Sequence, residues 1–154
     1  MKYYLGLGTN LGELRLNLDT ALAKLNSAGS VIRESTRIMT TPWGKTDQPD
    51  FLNSIVEYET ELSPKELITA LKGFEQDMGR VETEKWGQRI IDMDILFSDI
   101  GIFYSEGIVI PHPHLQKREF VLRSMLELQA DLVHPVLKKS ISQLYDELPQ
   151  CEKA

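Results

Sequence analysis

Residues 86–97, WGQRIIDMDILF, read as a buried strand that carries two aspartates. Asp92 and Asp94 sit among Ile90, Ile91, Met93, Ile95, Leu96 and Phe97. Side chains two apart on a strand share a face, so the carboxylates project together, roughly 7 Å apart along the backbone. In a half-dry setting their repulsion raises one pKa unless a cation intervenes. Hard divalent ions take oxygen ligands, and magnesium is often held by one or two carboxylates together with substrate phosphates. Asp-x-Asp on such a strand suits a magnesium–nucleotide site. A bare Asp-x-Asp is more often a pair of solvated aspartates on an edge strand. The apolar neighbours count against that, as does Arg89, three residues upstream. An arginine there can bridge a carboxylate or take phosphate oxygens bidentately.

Working outward, the chain alternates strands and helices. Residues 2–8 suggest a first strand. A helix is expected to open at Asn10 or Gly12, with Leu11, Leu14, Leu18, Leu22 and Leu25 on one stripe and Gly29 closing it. Residues 30–38 read as a second strand, 40–50 as a polar loop and 51–60 as a third strand. The second helix is the most strongly marked: Ser63 as N-cap, Pro64 in the first turn, Glu66 completing a capping box. Leu67, Leu71, Phe74 and Met78 form its apolar stripe and Gly79 ends it. A polar stretch, 80–88, leads back to the aspartate strand. The order β-α-β-β-α-β predicts an α/β (α+β) ferredoxin-like sandwich. Short strands and a helix are expected over 100–123, with a last helical piece at 140–148. The whole, 1–154, reads as one domain.

A net charge of −6 over 154 residues argues against a general nucleic-acid binder. The charge is uneven: residues 80–123 hold six Lys or Arg against seven Asp or Glu. With Asp92 and Asp94 set aside as metal ligands, this segment becomes slightly positive, a place to receive an anion. No apolar run is long enough for a membrane span. The start, MKYYLGLGTN, lacks a secretory cleavage pattern. One cysteine, Cys151, excludes an internal disulfide. The cytoplasm is the expected compartment.

Two motifs invite other readings. GLGTNLG lacks the Lys-Ser/Thr of a P-loop and the spacing of a dinucleotide fingerprint, so its glycines are expected to make a tight strand-to-helix turn. His112 and His114 form an H-x-H without the further ligands that zinc needs. His134 reads as structural, and Lys138-Lys139 as a solvated turn.

Four segments in order carry a resemblance to one family: LGLGTNLG at 5–12, TTPWGKTDQPDFLNSIV at 40–56, EKWGQRIIDMDILF at 84–97 and IPHPHLQKREFVL at 110–122. Together they resemble the 6-hydroxymethyl-7,8-dihydropterin pyrophosphokinases of folate biosynthesis, from about Tyr3 to about Pro135. The resemblance implies a ferredoxin-like fold, ATP and 6-hydroxymethyl-7,8-dihydropterin as substrates, and two Mg²⁺ ions held by Asp92 and Asp94. It makes Arg80 and Arg89 helpers of pyrophosphoryl transfer and Trp86 a loop residue that closes over the substrates. It places Glu75, Lys72, Trp86, Arg89, His112 and Arg118 toward ATP. It places Phe51 and Phe120 on the two faces of the pterin ring, Asn53 at the ring's edge, and Thr40, Trp43 and Gly44 along that pocket.

The residues bear this out as chemistry: Phe51 and Asn53, two apart on a strand, offer a stacking face beside a group that both donates and accepts. Some members carry another basic residue where this chain has VETEK, with Glu82 and Glu84, so that helper is either missing or supplied by Lys85. Lys72 stands where some have glutamine, and 107–109 lack the Arg or Thr that some use for the nucleotide. No nucleic-acid or membrane partner is implied; a monomer is expected, with a dimer as the alternative. The rival reading is a ferredoxin-like module that binds a small molecule without catalysis.

Overall fold

The computed structural model describes residues 1–42, 47–79, 89–105, 107–113 and 118–149. The expectations for Trp43, Gly44, Arg80, Glu82, Glu84, Lys85, Trp86, His114 and Cys151 therefore lie outside the described residues.

Among the described residues the order is β1 (Lys2–Thr9), α1 (Leu14–Asn26), β2 (Ser30–Glu34), β3 (Ile38–Thr40), β4 (Phe51–Glu59), α2 (Pro64–Asp77), β5 (Asp92–Ser98), β6 (Phe103–Ser105), β7 (Ile108–Ile110), α3 (Glu119–Gln129) and α4 (Ile141–Asp146). The main sheet runs β2-β4-β1-β5 with every pair antiparallel, and β3 also pairs with β4. β6 and β7 form a separate hairpin. Among the described residues no helix is long and apolar enough to cross a membrane.

Alternation along the strands sorts side chains onto two faces. One face carries Tyr3, Leu5, Leu7, Val56, Tyr58, Met93 and Ile95, packed against Leu18, Ala21 and Leu25 of α1 and Leu67 and Leu71 of α2. The other carries Tyr4, Ile55, Leu96 and Phe97 under Val121, Leu122, Met125 and Leu128 of α3 and Ile141 and Leu144 of α4. The sheet thus has helices on both faces.

The capping box predicted for α2 is present: the Ser63 hydroxyl accepts from the Glu66 N–H, and the Glu66 carboxylate accepts from the Ser63 N–H, with Pro64 in the first turn. Gly79 ends the helix at φ +91°. α1 begins later than expected, at Leu14. Gly12 adopts φ +87°, a left-handed conformation that breaks a helix, and Leu11 is left exposed rather than joining the stripe. Nor does Gly29 close α1, which ends at Asn26. Gly29 instead lets two segments touch: a Cβ there would lie 2.4 Å from the Glu59 carbonyl oxygen and 2.7 Å from the Tyr58 hydroxyl.

The strand expected over 30–38 is two strands. Glu34 faces Val56 and Ile38 faces Asn53 on β4, so β2–β3 spends one more residue than its partner and bulges between them. Ser35 holds the bulge, donating its N–H to the Ile55 carbonyl at 2.8 Å and accepting the Ile55 N–H on its hydroxyl at 2.8 Å.

His134 is structural, as expected. It is buried, its Nδ1 accepts the N–H groups of Val136 and Leu137, and its ring meets Phe97 edge-on.

Candidate active site

The antiparallel register builds the site from three strands. Gly8 on β1 is opposite Asn53 of β4 on one side and Asp92 of β5 on the other. Gly6 is opposite Ile55 on one side and Asp94 on the other. Two rows therefore cross the sheet, Asn53–Gly8–Asp92 and Ile55–Gly6–Asp94, each with a glycine in the middle. At a strand spacing near 4.8 Å, Asn53 and Asp92 stand roughly 10 Å apart with only backbone between them. The strand expected over 2–8 thus holds Gly6 and Gly8, and of the glycines read as a strand-to-helix turn only the last, Gly12, makes it.

These rows lie on the α3 face of the sheet, beside the first turn of α3. There they floor a cavity of about 330 Å³. Thr40, Phe51, Asn53, Arg89, Asp92, Asp94, His112, Arg118 and Phe120, all named from the sequence, line it. Thr41, Leu96 and Pro113 complete much of the wall. Lys72 is exposed on α2, and neither it nor Glu75 lines the cavity.

At one end, Asn53 is buried and tightly held. Its amide nitrogen donates to the Thr40 hydroxyl at 2.7 Å and to the carbonyls of Ile38 and Phe51, each at 3.2 Å. Its donors are used within the protein, and Oδ1 turns toward Gly8, where an added Cβ would sit 3.1 Å from it. Asn53 thus offers the cavity an acceptor, not the donor–acceptor pair expected from its residue type. Phe51 lies beside Asn53 against Gly8, and Phe120 also lines the cavity, each as a flat apolar surface.

At the other end the charges gather. Arg89 Nη1 lies 3.2 Å from Asp92 Oδ2. Burial pushes the Asp94 carboxyl up to about 7, with the Asp92 charge adding to the rise and the Arg118 charge opposing it. Burial draws the Arg118 guanidinium downward, and Asp94 and Asp92 pull it back. Arg118 also lies over the Phe120 ring, 4.8 Å from its centroid.

Among the described residues no three His, Cys, Asp or Glu side chains gather as a metal cage. Two neighbouring carboxylates with cations beside them fit a hard ion whose remaining ligands are phosphate oxygens and water. A carboxyl raised by burial and by a neighbouring carboxylate is what a divalent cation would relieve.

Two residues support the site from outside the cavity, in ways the sequence did not show. Asn10, buried, does not open α1. Its N–H donates to the Arg89 carbonyl at 3.0 Å, and its Oδ1 accepts the Arg89 N–H at 2.8 Å. Its amide nitrogen donates to Gln48 Oε1 and to the Pro49 carbonyl. Glu75 is buried on α2, and its Oε2 accepts the Met93 N–H at 2.8 Å. The helical period gave a hint of Glu75, which falls one turn after Leu71 on the buried stripe. No local pattern announces Asn10, whose partners lie 38 to 79 residues away.

A family model for 7,8-dihydro-6-hydroxymethylpterin-pyrophosphokinase (HPPK) matches residues 4–130. The chain is 35% identical over 144 residues to the 2-amino-4-hydroxy-6-hydroxymethyldihydropteridine pyrophosphokinase of Aquifex aeolicus, covering 94% of this chain and 90% of that protein. It is 40% identical over 148 residues to the folic acid synthesis protein fol1 of Schizosaccharomyces pombe, spanning only 20% of that longer protein. In fold it resembles the Plasmodium falciparum HPPK-DHPS solved with pteroate, at a TM-score of 0.76 and 17% identity, over 95% of this chain and 42% of that one.

Proposed function

Since this chain belongs to the 7,8-dihydro-6-hydroxymethylpterin-pyrophosphokinase family, we infer that it transfers the β,γ-pyrophosphate of ATP to 6-hydroxymethyl-7,8-dihydropterin in folate biosynthesis. The products are the pterin diphosphate and AMP. The observation that carries this reading is the pair of glycine-centred rows. They hold an aromatic and amide-lined pocket about 10 Å from paired carboxylates, with an open floor between. A flat heterocycle fits one end and a polyphosphate the other. A binding module without chemistry leaves Asp92 and Asp94 with no task.

In this reading Phe51 and Phe120 stack on the pterin, and Asn53 Oδ1 accepts an N–H from its edge, with Thr40 holding Asn53 in place. The hydroxymethyl oxygen then points along the row toward Asp92 and Asp94. These two would hold Mg²⁺, two ions in this proposal. Bound there, magnesium neutralises phosphate charge and lowers the pKa of the attacking hydroxyl. Arg89, Arg118 and His112 line the same cavity and would contact the phosphates. The bond that forms joins the hydroxymethyl oxygen to the β-phosphorus. The bond that breaks joins that phosphorus to the α,β-bridging oxygen, which leaves on AMP. Catalysis rests on positioning and on charges set before the reaction. Arg80 and Trp86 are assigned to the same step by the resemblance. The same reading takes the fold as ferredoxin-like, and the sheet order β2-β4-β1-β5 with α1 and α2 together on one face supports it.

The test is a product assay with ATP, magnesium and 6-hydroxymethyl-7,8-dihydropterin. The expected result is one AMP per pterin diphosphate formed. ADP as the nucleotide product would identify a different phosphotransferase, and no turnover would refute the proposal.

A further inference from the structure

We propose that Glu75 is a positioning residue for the aspartate pair, acting through the backbone of Met93; this rests on the metal-binding role proposed for Asp92 and Asp94. Met93 stands between the two aspartates, and its N–H is spent on Glu75 Oε2 at 2.8 Å, out of contact with water. Among the described residues β5 is the last strand along its side of the main sheet, so an amide that turns away from β1 there finds no described strand to pair with. Glu75 supplies the acceptor from α2. The bonded nitrogen belongs to the peptide that joins Asp92 to Met93, so holding it sets how both aspartates leave the strand.

The residue type is informative. Glu75 shares the buried side of α2 with Pro64, Leu67 and Leu71, and a carboxylate among them is costly to bury. A charged acceptor makes a shorter, stronger bond than a neutral one. Partners of this kind, one step removed from the metal, orient its ligands. The edge of β5 is fastened a second time three residues on, where the His112 N–H donates to the Leu96 carbonyl at 3.0 Å. The aspartates are therefore held on a strand pinned along its outer side, not on a fraying edge.

The test follows Mn²⁺ held between the protein and an ATP analogue with a methylene bridge between its α- and β-phosphorus, read by water-proton relaxation. Glu75→Ala should weaken metal retention about 10- to 100-fold. Glu75→Gln, which keeps an oxygen for the Met93 N–H, should recover most of it. Leu71→Ala, one turn earlier on the same buried stripe, should lower the melting temperature while retaining Mn²⁺ as wild type does. Wild-type retention by Glu75→Ala, or equal weakness in the Gln and Ala variants, would overturn the positioning role alone. Failure of the wild-type protein to hold Mn²⁺ with the analogue would overturn the proposed function as well.

Discussion

Asn10 and Arg89 are tied to each other twice: the N–H of each donates to the other, at 3.0 Å to the Arg89 carbonyl and at 2.8 Å to the Asn10 side-chain oxygen. The same side chain reaches Gln48 and Pro49, close in sequence to Phe51 at the end proposed for the pterin. One buried amide therefore sets the backbone on both sides of the site. Asn10→Ala is expected to reduce kcat/KM for both substrates by about 100-fold, the scale of a misplacement near 1 Å. Asn10→Asp keeps the acceptor for Arg89 and loses the donors to Gln48 and Pro49. It should raise KM for the pterin more than KM for ATP. Equal changes in both KM values for the Asp variant would show that the two arms are not separable.

Gly8→Ala places a methyl group 3.1 Å from Asn53 Oδ1. Asn53 cannot yield easily, because three hydrogen bonds hold its amide nitrogen. We expect KM for the pterin to rise about 10-fold, equivalent to about 1.4 kcal/mol and within the range for overpacking. KM for ATP should change little. Steady-state kinetics with each substrate varied in turn decides this, and an unchanged pterin KM would mean that Asn53 gives way.

Asp94→Asn keeps the shape and removes the charge. Turnover should drop by at least about 10³-fold, on the scale of losing a charge-stabilising partner in phosphoryl transfer. The protein should remain folded, because the substitution also removes the repulsion from Asp92 that raises Asp94. Circular dichroism and a magnesium titration of the residual rate check both halves. A variant that keeps more than a tenth of wild-type turnover would remove Asp94 from the catalytic machinery.

His134 links stability to pH. Burial lowers its pKa below the usual 6.5, and its Nδ1 is already an acceptor for two backbone N–H groups. As pH falls below 6.5 the unfolded chain takes up this proton before the folded one does. Stability from this residue is thus complete above 6.5 and declines as pH drops toward the lowered value. The urea midpoint should fall from pH 7.5 to pH 5.5 more steeply for wild type than for His134→Asn, which retains an oxygen acceptor at the same place. Parallel slopes would assign the pH dependence to other groups.

What could be read from the sequence was what depends on short-range spacing. The capping box at Ser63 and Glu66, the shared face of Asp92 and Asp94 and the Phe51–Asn53 pair are each set by neighbours two or three residues apart. What could not be read depends on strand register. Gly6 and Gly8 read from the sequence as the end of a strand and the approach to a turn, with no part in the site. Only their pairing with Asp92, Asp94, Asn53 and Ile55 makes them a floor. Asn10 was mistaken for a helix opener because asparagine is a common N-cap; its actual partners arrive from distant loops. The break between β2 and β3 follows from a bulge set by Ser35 against Ile55, which no local propensity marks.

The bare floor at Gly6 and Gly8 bears on how such a protein can escape an inhibitor. Mutation there can only add atoms, since no residue is smaller than glycine. A compound lying flat along the rows, in the space the substrates themselves would need, could be excluded at these positions only by a side chain that also obstructs the pterin and the phosphates. Resistance would have to come from the rim, at Thr41 or Pro113, and compounds drawn to the floor instead of the rim leave the fewest viable routes to it.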